Sequence, residues 1–223
     1  RNVDIVNTLF YTRVMPSSRV VKRKPAAAYH HGDLRRALLA ETARTIRKEG
    51  VDGVTLRAVG KRLGVSRTAL YRHFADKPAL LAAVAREGFQ AFSRDLSQAW
   101  TAAGGGRDGF RAMGAAYVNF AIVNPSHYRV MFGAFKDLCE RDAELAADAQ
   151  ASFQVLLDAV VMLQQDGLIR ADPPQTLAQY IWATVHGMAM LAIDGQLGPD
   201  PKAADTLARF ALERLSTGIA ASP

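Results

Sequence analysis

Apolar residues return at helical spacing along most of the chain, and strand-like alternation never lasts beyond a few positions. Leu34, Leu38, Leu39, Ala43 and Ile46 draw one face of a helix over residues 33–49, with Gly50 placed to end it. Thr55 is a good cap for a short second helix running to Leu63, with Gly64 just beyond. Ser66 caps a third, to about His73, and Asp76 with Pro78 opens a long fourth, to about Trp100. After Gly104, Gly105 and Gly106, further helices are predicted over 107–123, 126–132, 142–166, 174–194 and 201–217. Their breaks are Asn124-Pro125, Gly133, Gly167, Pro173-Pro174 and the stretch from Gly195 to Pro201. About nine helices, 39 alanines and no internal repeat predict an all-α fold.

Charge divides the chain in a way that its average conceals. The net formal charge is +7, yet residues 1–86 hold 18 basic and 6 acidic side chains, and residues 87–223 hold 10 and 15. An anionic partner is therefore expected for the N-terminal part alone. Residues 1–28 read as a basic, disordered tail, and the basic residues from Arg19 onward suit a nucleic-acid-binding arm equally well. Residues 1–14 differ from the Ala-rich body, and Met15 is a candidate natural start. A single cysteine, Cys139, excludes an intrachain disulfide framework and suits a reducing cytoplasm. No uninterrupted apolar run approaches a membrane span, so no membrane partner is expected.

The stretch from Thr55 to Lys77, TLRAVGKRLGVSRTALYRHFADK, is the most informative. Two short helices meet across Gly64-Val65-Ser66, the connection of a helix-turn-helix. Gly60 puts no side chain where the second helix crosses the first, and Gly64 permits the positive φ of a tight turn. Val59, Leu63, Val65 and Leu70 supply the apolar contacts. The other face of the second helix presents Arg67, Thr68, Tyr71 and Arg72, suited to entering a major groove, where Arg reads guanine. Thr55, Tyr71, His73 and Lys77 lie where they can hold phosphates, and Ser66 caps the reading helix.

These residues also carry a resemblance. From His31 through Phe92 the chain resembles the DNA-binding domain of the tetracycline-repressor-like (TetR/AcrR) family of bacterial transcriptional regulators. The string Leu70-Tyr71-Arg72-His73-Phe74, followed by Lys77, Leu80 and Leu81, matches that family's reading helix, as does the opening Tyr29-His30-His31-Gly32-Asp33-Leu34-Arg35 one of its branches. Gly60 departs from the more usual Ala. The resemblance implies base contacts from Arg57, Arg67, Thr68 and Ala69 and phosphate contacts from Thr55, Tyr71, His73 and Lys77. It also implies a helix-turn-helix domain over 29–80 and a helical effector-binding and dimerisation domain over 81–223. Asn124-Pro125-Ser126-His127-Tyr128-Arg129-Val130-Met131-Phe132 and Trp182-Ala183-Thr184-Val185-His186-Gly187 resemble the branch with a Trp…His-Gly signature. There the last two long helices pack against a second subunit.

Three aromatic and methionine stripes stand in the C-terminal part: Met113, Tyr117 and Phe120; Tyr128, Met131 and Phe135; Trp182, His186 and Met190. Each reads either as core or as the lining of a site for a small, largely apolar effector. The five histidines form no helical pair for a metal, and no nucleophile–base motif or phosphate loop is present. No cofactor and no catalysis are expected. The expected protein is a cytoplasmic homodimer that binds a palindromic double-stranded DNA operator and responds to a ligand, most simply as a repressor. An enzyme of the C-terminal pocket and a ligand-independent DNA-binding protein stand as alternatives.

Overall fold

A computed structural model describes residues 31–133, 135–197 and 201–221; the readings of the N-terminal tail, its arm and Met15 lie outside the described residues. Among the described residues ten helices follow one another: α1 (His31–Glu49), α2 (Leu56–Arg62), α3 (Arg67–Tyr71), α4 (Lys77–Ala102) and α5 (Gly106–Val123), then α6 (Pro125–Gly133), α7 (Phe135–Arg141), α8 (Ala143–Gln165), α9 (Pro174–Ile193) and α10 (Pro201–Gly218). The fold is all-α, with one isolated antiparallel bridge, Ile169 to Ala220, fastening the end of α10 to the α8–α9 connection. The predicted count was one helix short. In α7, FKDLCER, only Phe135, Leu138 and Cys139 are apolar, too few to draw a periodicity, and Leu138 alone is buried.

Side-chain caps start α2, α3 and α4 where expected, and Asp142 starts α8 in the same way. Thr55, Ser66, Asp76 and Asp142 each accept the backbone N–H three residues on, from Ala58, Ala69, Ala79 and Leu145. At the other end, α2, α4, α8 and α9 close in the same double hydrogen-bond pattern. For α2, Gly64 N–H donates to Lys61 O at 3.2 Å and Val65 N–H to Gly60 O at 3.0 Å. That closure needs φ of +66° at Gly64, which L side chains rarely adopt.

α4 organises the molecule. Its first turns pack on α1, and its length carries α5, α6, α7 and α8. α9 and α10 lie against α5 and each other, and α8 lies against α4 and α9. α6 packs on α4, α5 and α1, so it bridges the cluster α1–α3 and the larger bundle. Residue 80 falls inside α4, which runs unbroken through both groups. The buried apolar residues form one continuous core from Leu34 to Ile219.

By length and composition α8 is apolar enough to cross a membrane, with a mean hydropathy of 1.3 over its best window. Here it is a bundle helix, burying Leu145, Ala149, Ser152, Leu156, Ala159, Val160 and Leu163.

The buried face of α1 also differs from its apolar stripe. Leu34, Leu38, Leu39 and Ile46 are buried, but Ala43 is only half-buried while Glu41, Thr42 and Thr45 are fully buried. Thr42 and Thr45 hydroxyls donate to Leu38 O and Glu41 O, at 2.7 and 2.9 Å, which removes their need for water. Arg62 explains the rest. Its guanidinium reaches back from α2 to Thr45 Oγ1 at 2.6 Å and Glu49 Oε1 at 2.5 Å, and lies 3.7 Å from Glu41. Arg44 closes the cluster with two hydrogen bonds to Glu41.

Candidate nucleic-acid interface and ligand cavity

The α2–turn–α3 unit separates inward from outward residues cleanly. Val59 and Leu70 are buried, and Leu63 and Val65 are half-buried against the same core. Gly60 is where the helices cross: a Cβ there would lie 2.8 Å from Leu70 Cδ1. Phe74, at the end of the same string, is buried and lies beneath the Arg35 guanidinium, 5.5 Å from its ring centre.

On the outer side, Thr55, Arg57, Ser66, Arg67, Thr68, Tyr71 and Arg72 are exposed, and Ala69, His73 and Lys77 are half-buried. The Arg67 guanidinium stands 5.5 Å from the Tyr71 ring centre, a cation–π contact that gives a long side chain a preferred direction. Thr55 and Ser66 spend an acceptor lone pair on capping, so each still has its hydroxyl proton to donate. Lys77 Nζ donates to Asp52 O at 3.4 Å, so it is partly engaged in holding the α1–α2 loop. Arg62, basic and in the same segment, faces α1 instead. The surface that results is a short helix with Arg and hydroxyl donors at its tip and further hydroxyl, imidazole and ammonium donors flanking it.

A cavity of about 510 Å³ lies inside the bundle. Its wall comes from α4 (Phe89, Phe92, Leu96), α5 (Phe110, Met113, Tyr117), α6 and α7 (Phe132, Phe135, Cys139), α8 (Ser152, Phe153, Leu156 and neighbours), α9 (Ile181, Trp182, Val185, His186) and Leu212 of α10. Among the described residues that line it, no side chain is charged. Of the nine residues in the three sequence stripes, Met113, Tyr117, Phe135, Trp182 and His186 are on this wall. Phe120, Tyr128, Met131 and Met190 are not. Phe120 is buried with its ring 5.1 Å from that of Phe92, Met131 is buried against Gly88, and Met190 packs on the core.

Tyr128 stands directly behind the wall and is fully buried. Its hydroxyl lies 2.7 Å from His186 Nδ1 and 3.0 Å from the Tyr117 hydroxyl, which lies 3.2 Å from the same Nδ1 and accepts from Trp182 Nε1 at 3.1 Å. Burial pushes both phenols far above their usual range and holds the His186 imidazole below its own, so all are neutral near pH 7. The α4, α8 and α6 contributions to the wall were missed from sequence. Phe89, Phe92 and Leu96 do recur at helical spacing, but that pattern is the same for a core.

Two family models match the chain: "Bacterial regulatory proteins, tetR family" over residues 38–84 and "Tetracyclin repressor-like, C-terminal domain" over residues 110–215. The uncharacterized HTH-type transcriptional regulator YobS of Bacillus subtilis is 25% identical over 144 residues, covering 65% of this chain and 71% of its own. A protein of unknown function from Rhodococcus sp. RHA1 is 34% identical, covers 86% of this chain and 98% of its own, and superposes with a TM-score of 0.77. A bacterial regulatory protein in the tetR family from Rhodococcus RHA1 shares the fold at 19% identity, covering 85% of this chain and 98% of its own, with a TM-score of 0.68.

Proposed function

The chain belongs to the tetR family of bacterial regulatory proteins, and from that premise we propose that it is a cytoplasmic, homodimeric, ligand-responsive transcriptional repressor. The family is a class of DNA-binding transcriptional regulators, and the activity read here is regulation rather than catalysis. Residues 29–80 form the reading head and residues 81–223 the sensing and dimerising part. The observation that carries the reading is α3: its apolar side is locked under Gly60 while Arg67, Thr68 and Tyr71 stand clear of the protein.

Arg67, Thr68 and Arg57 read base edges, and Ala69 offers a methyl for apolar contact with a thymine methyl. Thr55, Ser66, Tyr71, His73 and Lys77 hold phosphates and set the register. Each subunit reads one half of a near-palindrome, with half-sites about 34–36 Å apart or at a longer whole-turn spacing.

The second subunit is expected on α9 and α10. Tyr180, Leu191 and Phe210 are 56%, 40% and 55% exposed, a row of large apolar groups without cover in one protomer. Gly187 lies on α9 between the first two and has open space where a Cβ would be. A mid-helix glycine costs about 1 kcal/mol against Ala, and the close approach of a partner helix would offset that.

The cavity takes a small, largely apolar effector. Its wall includes Phe132 of α6, and the same helix packs on α1 of the reading head. An effector that binds better to one setting of α6 shifts the spacing of the two heads, and only that difference in affinity does regulatory work. Selection of bound sequences from a random DNA pool tests the whole reading. A near-palindromic motif with whole-turn spacing is expected, and enrichment of no motif would overturn it.

A further inference from the structure

The polar end of the cavity determines what kind of molecule fits it, an inference that rests on the effector-binding reading above. Four groups meet there: the Trp182 indole N–H, the Tyr117 and Tyr128 hydroxyls, and Nδ1 of His186. The first three bring one proton each. If Nδ1 is an acceptor, all three protons have a place: Trp182 and Tyr128 donate to the Tyr117 oxygen, and Tyr117 donates to Nδ1 at 3.2 Å. If Nδ1 carried a proton as well, one phenol proton would be left without an acceptor among these groups. Tyr117 and Tyr128 are 5% and 0% exposed, so an orphaned hydroxyl there is costly. Either tautomer leaves one donor without a protein acceptor, and the half-buried imidazole N–H is the less costly one to leave, which selects hydrogen on Nε2. That nitrogen has no acceptor among the described residues, although the ring is part of the cavity wall.

The rest of the wall offers little to a polar ligand. Ser152 donates its proton to Ala149 O at 2.7 Å, Gln150 is exposed on α8, and burial keeps the Cys139 thiol protonated. No lining side chain carries a charge that would compensate a carboxylate or an ammonium, and the same burial disfavours His186 becoming an imidazolium.

We propose that His186 Nε2–H is the polar anchor of the cavity, held in that tautomer by Tyr117, which Tyr128 in turn orients. The effector is then an uncharged, mostly hydrocarbon molecule that presents one acceptor oxygen, such as a ketone, aldehyde or ester carbonyl. His186 touches the ligand, and Tyr128 is a positioning residue that acts on it through Tyr117.

The test uses the full chain at pH 7.5, a naphthylamine fluorophore (uncharged N-phenylnaphthylamine) as reporter, and three competitors of equal chain length: methyl octyl ketone, decene and decanoate. The ketone is expected to displace the reporter best, about threefold to tenfold better than decene, with decanoate weakest. His186→Phe should bring the ketone down to the level of decene. His186→Gln, which restores an N–H, should recover part of the ketone preference, and Tyr128→Phe should weaken that preference without abolishing decene binding. A ketone preference that survives His186→Phe, or decanoate as the best competitor, overturns the anchor while leaving an effector cavity in place. Failure of the wild-type protein to bind the reporter or any competitor overturns the cavity reading itself.

Discussion

Gly88 and Met131 meet so closely where α4 crosses α6 that a Cβ at position 88 would stand 2.5 Å from the Met131 sulfur. His127 is next along the same face of α6, its Cβ 3.3 Å from that point. The crossing matters because α6 links α1 to the cavity. Gly88→Ala is expected to lower stability by about 1–3 kcal/mol, since Met131 is fully buried and has little room to yield. Shortening the neighbour should recover part of the loss. In a double-mutant cycle by thermal melting, Gly88→Ala with Met131→Ala should be less destabilised than the sum of the single changes. Strict additivity would show that the two helices do not constrain each other there.

Stability should also depend on pH through two histidines. Burial lowers the pKa of both His127 and His186 from 6.5, and the Arg47 charge adds to the effect at His127. A lowered histidine favours the neutral form in the folded state. Its contribution is therefore complete above 6.5 and is lost as pH falls through the folded value. Glu87 acts with the opposite sign at the acid end, because burial raises its carboxyl. The melting temperature is expected to hold between roughly pH 8 and 7 and to fall between roughly 6.5 and 5. Replacing both histidines with Gln should flatten that fall. An unchanged slope in the double variant would place its source elsewhere.

The row of Tyr180, Leu191 and Phe210 makes dimerisation testable in two directions. Phe210→Glu should convert a dimer to a monomer in sedimentation equilibrium, because a carboxylate would be buried at the contact. Gly187→Leu should do the same by bulk alone, with helix content retained in circular dichroism. If α9 has no partner, Gly187→Leu should instead leave the mass unchanged and raise the melting temperature, since Leu is the better helix former.

Much of this architecture could be read from residue pattern, and the reasons for the rest are specific. The helix starts at Thr55, Ser66, Asp76 and Asp142 are legible because a side-chain cap is a local device that needs no tertiary partner. The outward set on α3 is legible because an amphipathic helix in a basic segment has one side to spare. The polar face of α1 is not. Glu41, Thr42 and Thr45 are buried because Arg62, seventeen residues beyond Thr45, folds back onto them, and no periodicity encodes that return. The cavity wall is hidden for a related reason. A lining residue and a core residue obey the same hydrophobic spacing, so the stripes could mark Tyr117 and His186 but could not separate them from Phe120 or Met131. The tyrosine–histidine contact joins residues 58 positions apart, beyond any local signal.

The central claim is that α3 reads DNA sequence through its exposed side chains. The most direct measurement compares the affinity of wild-type protein and Arg67→Ala for the selected operator and for a scrambled duplex, at one salt concentration, by fluorescence anisotropy. Arg67→Ala should lose about 1–3 kcal/mol on the operator and much less on the scrambled duplex, so that the ratio between them collapses. A substitution that weakens both duplexes equally, or neither, would contradict the account.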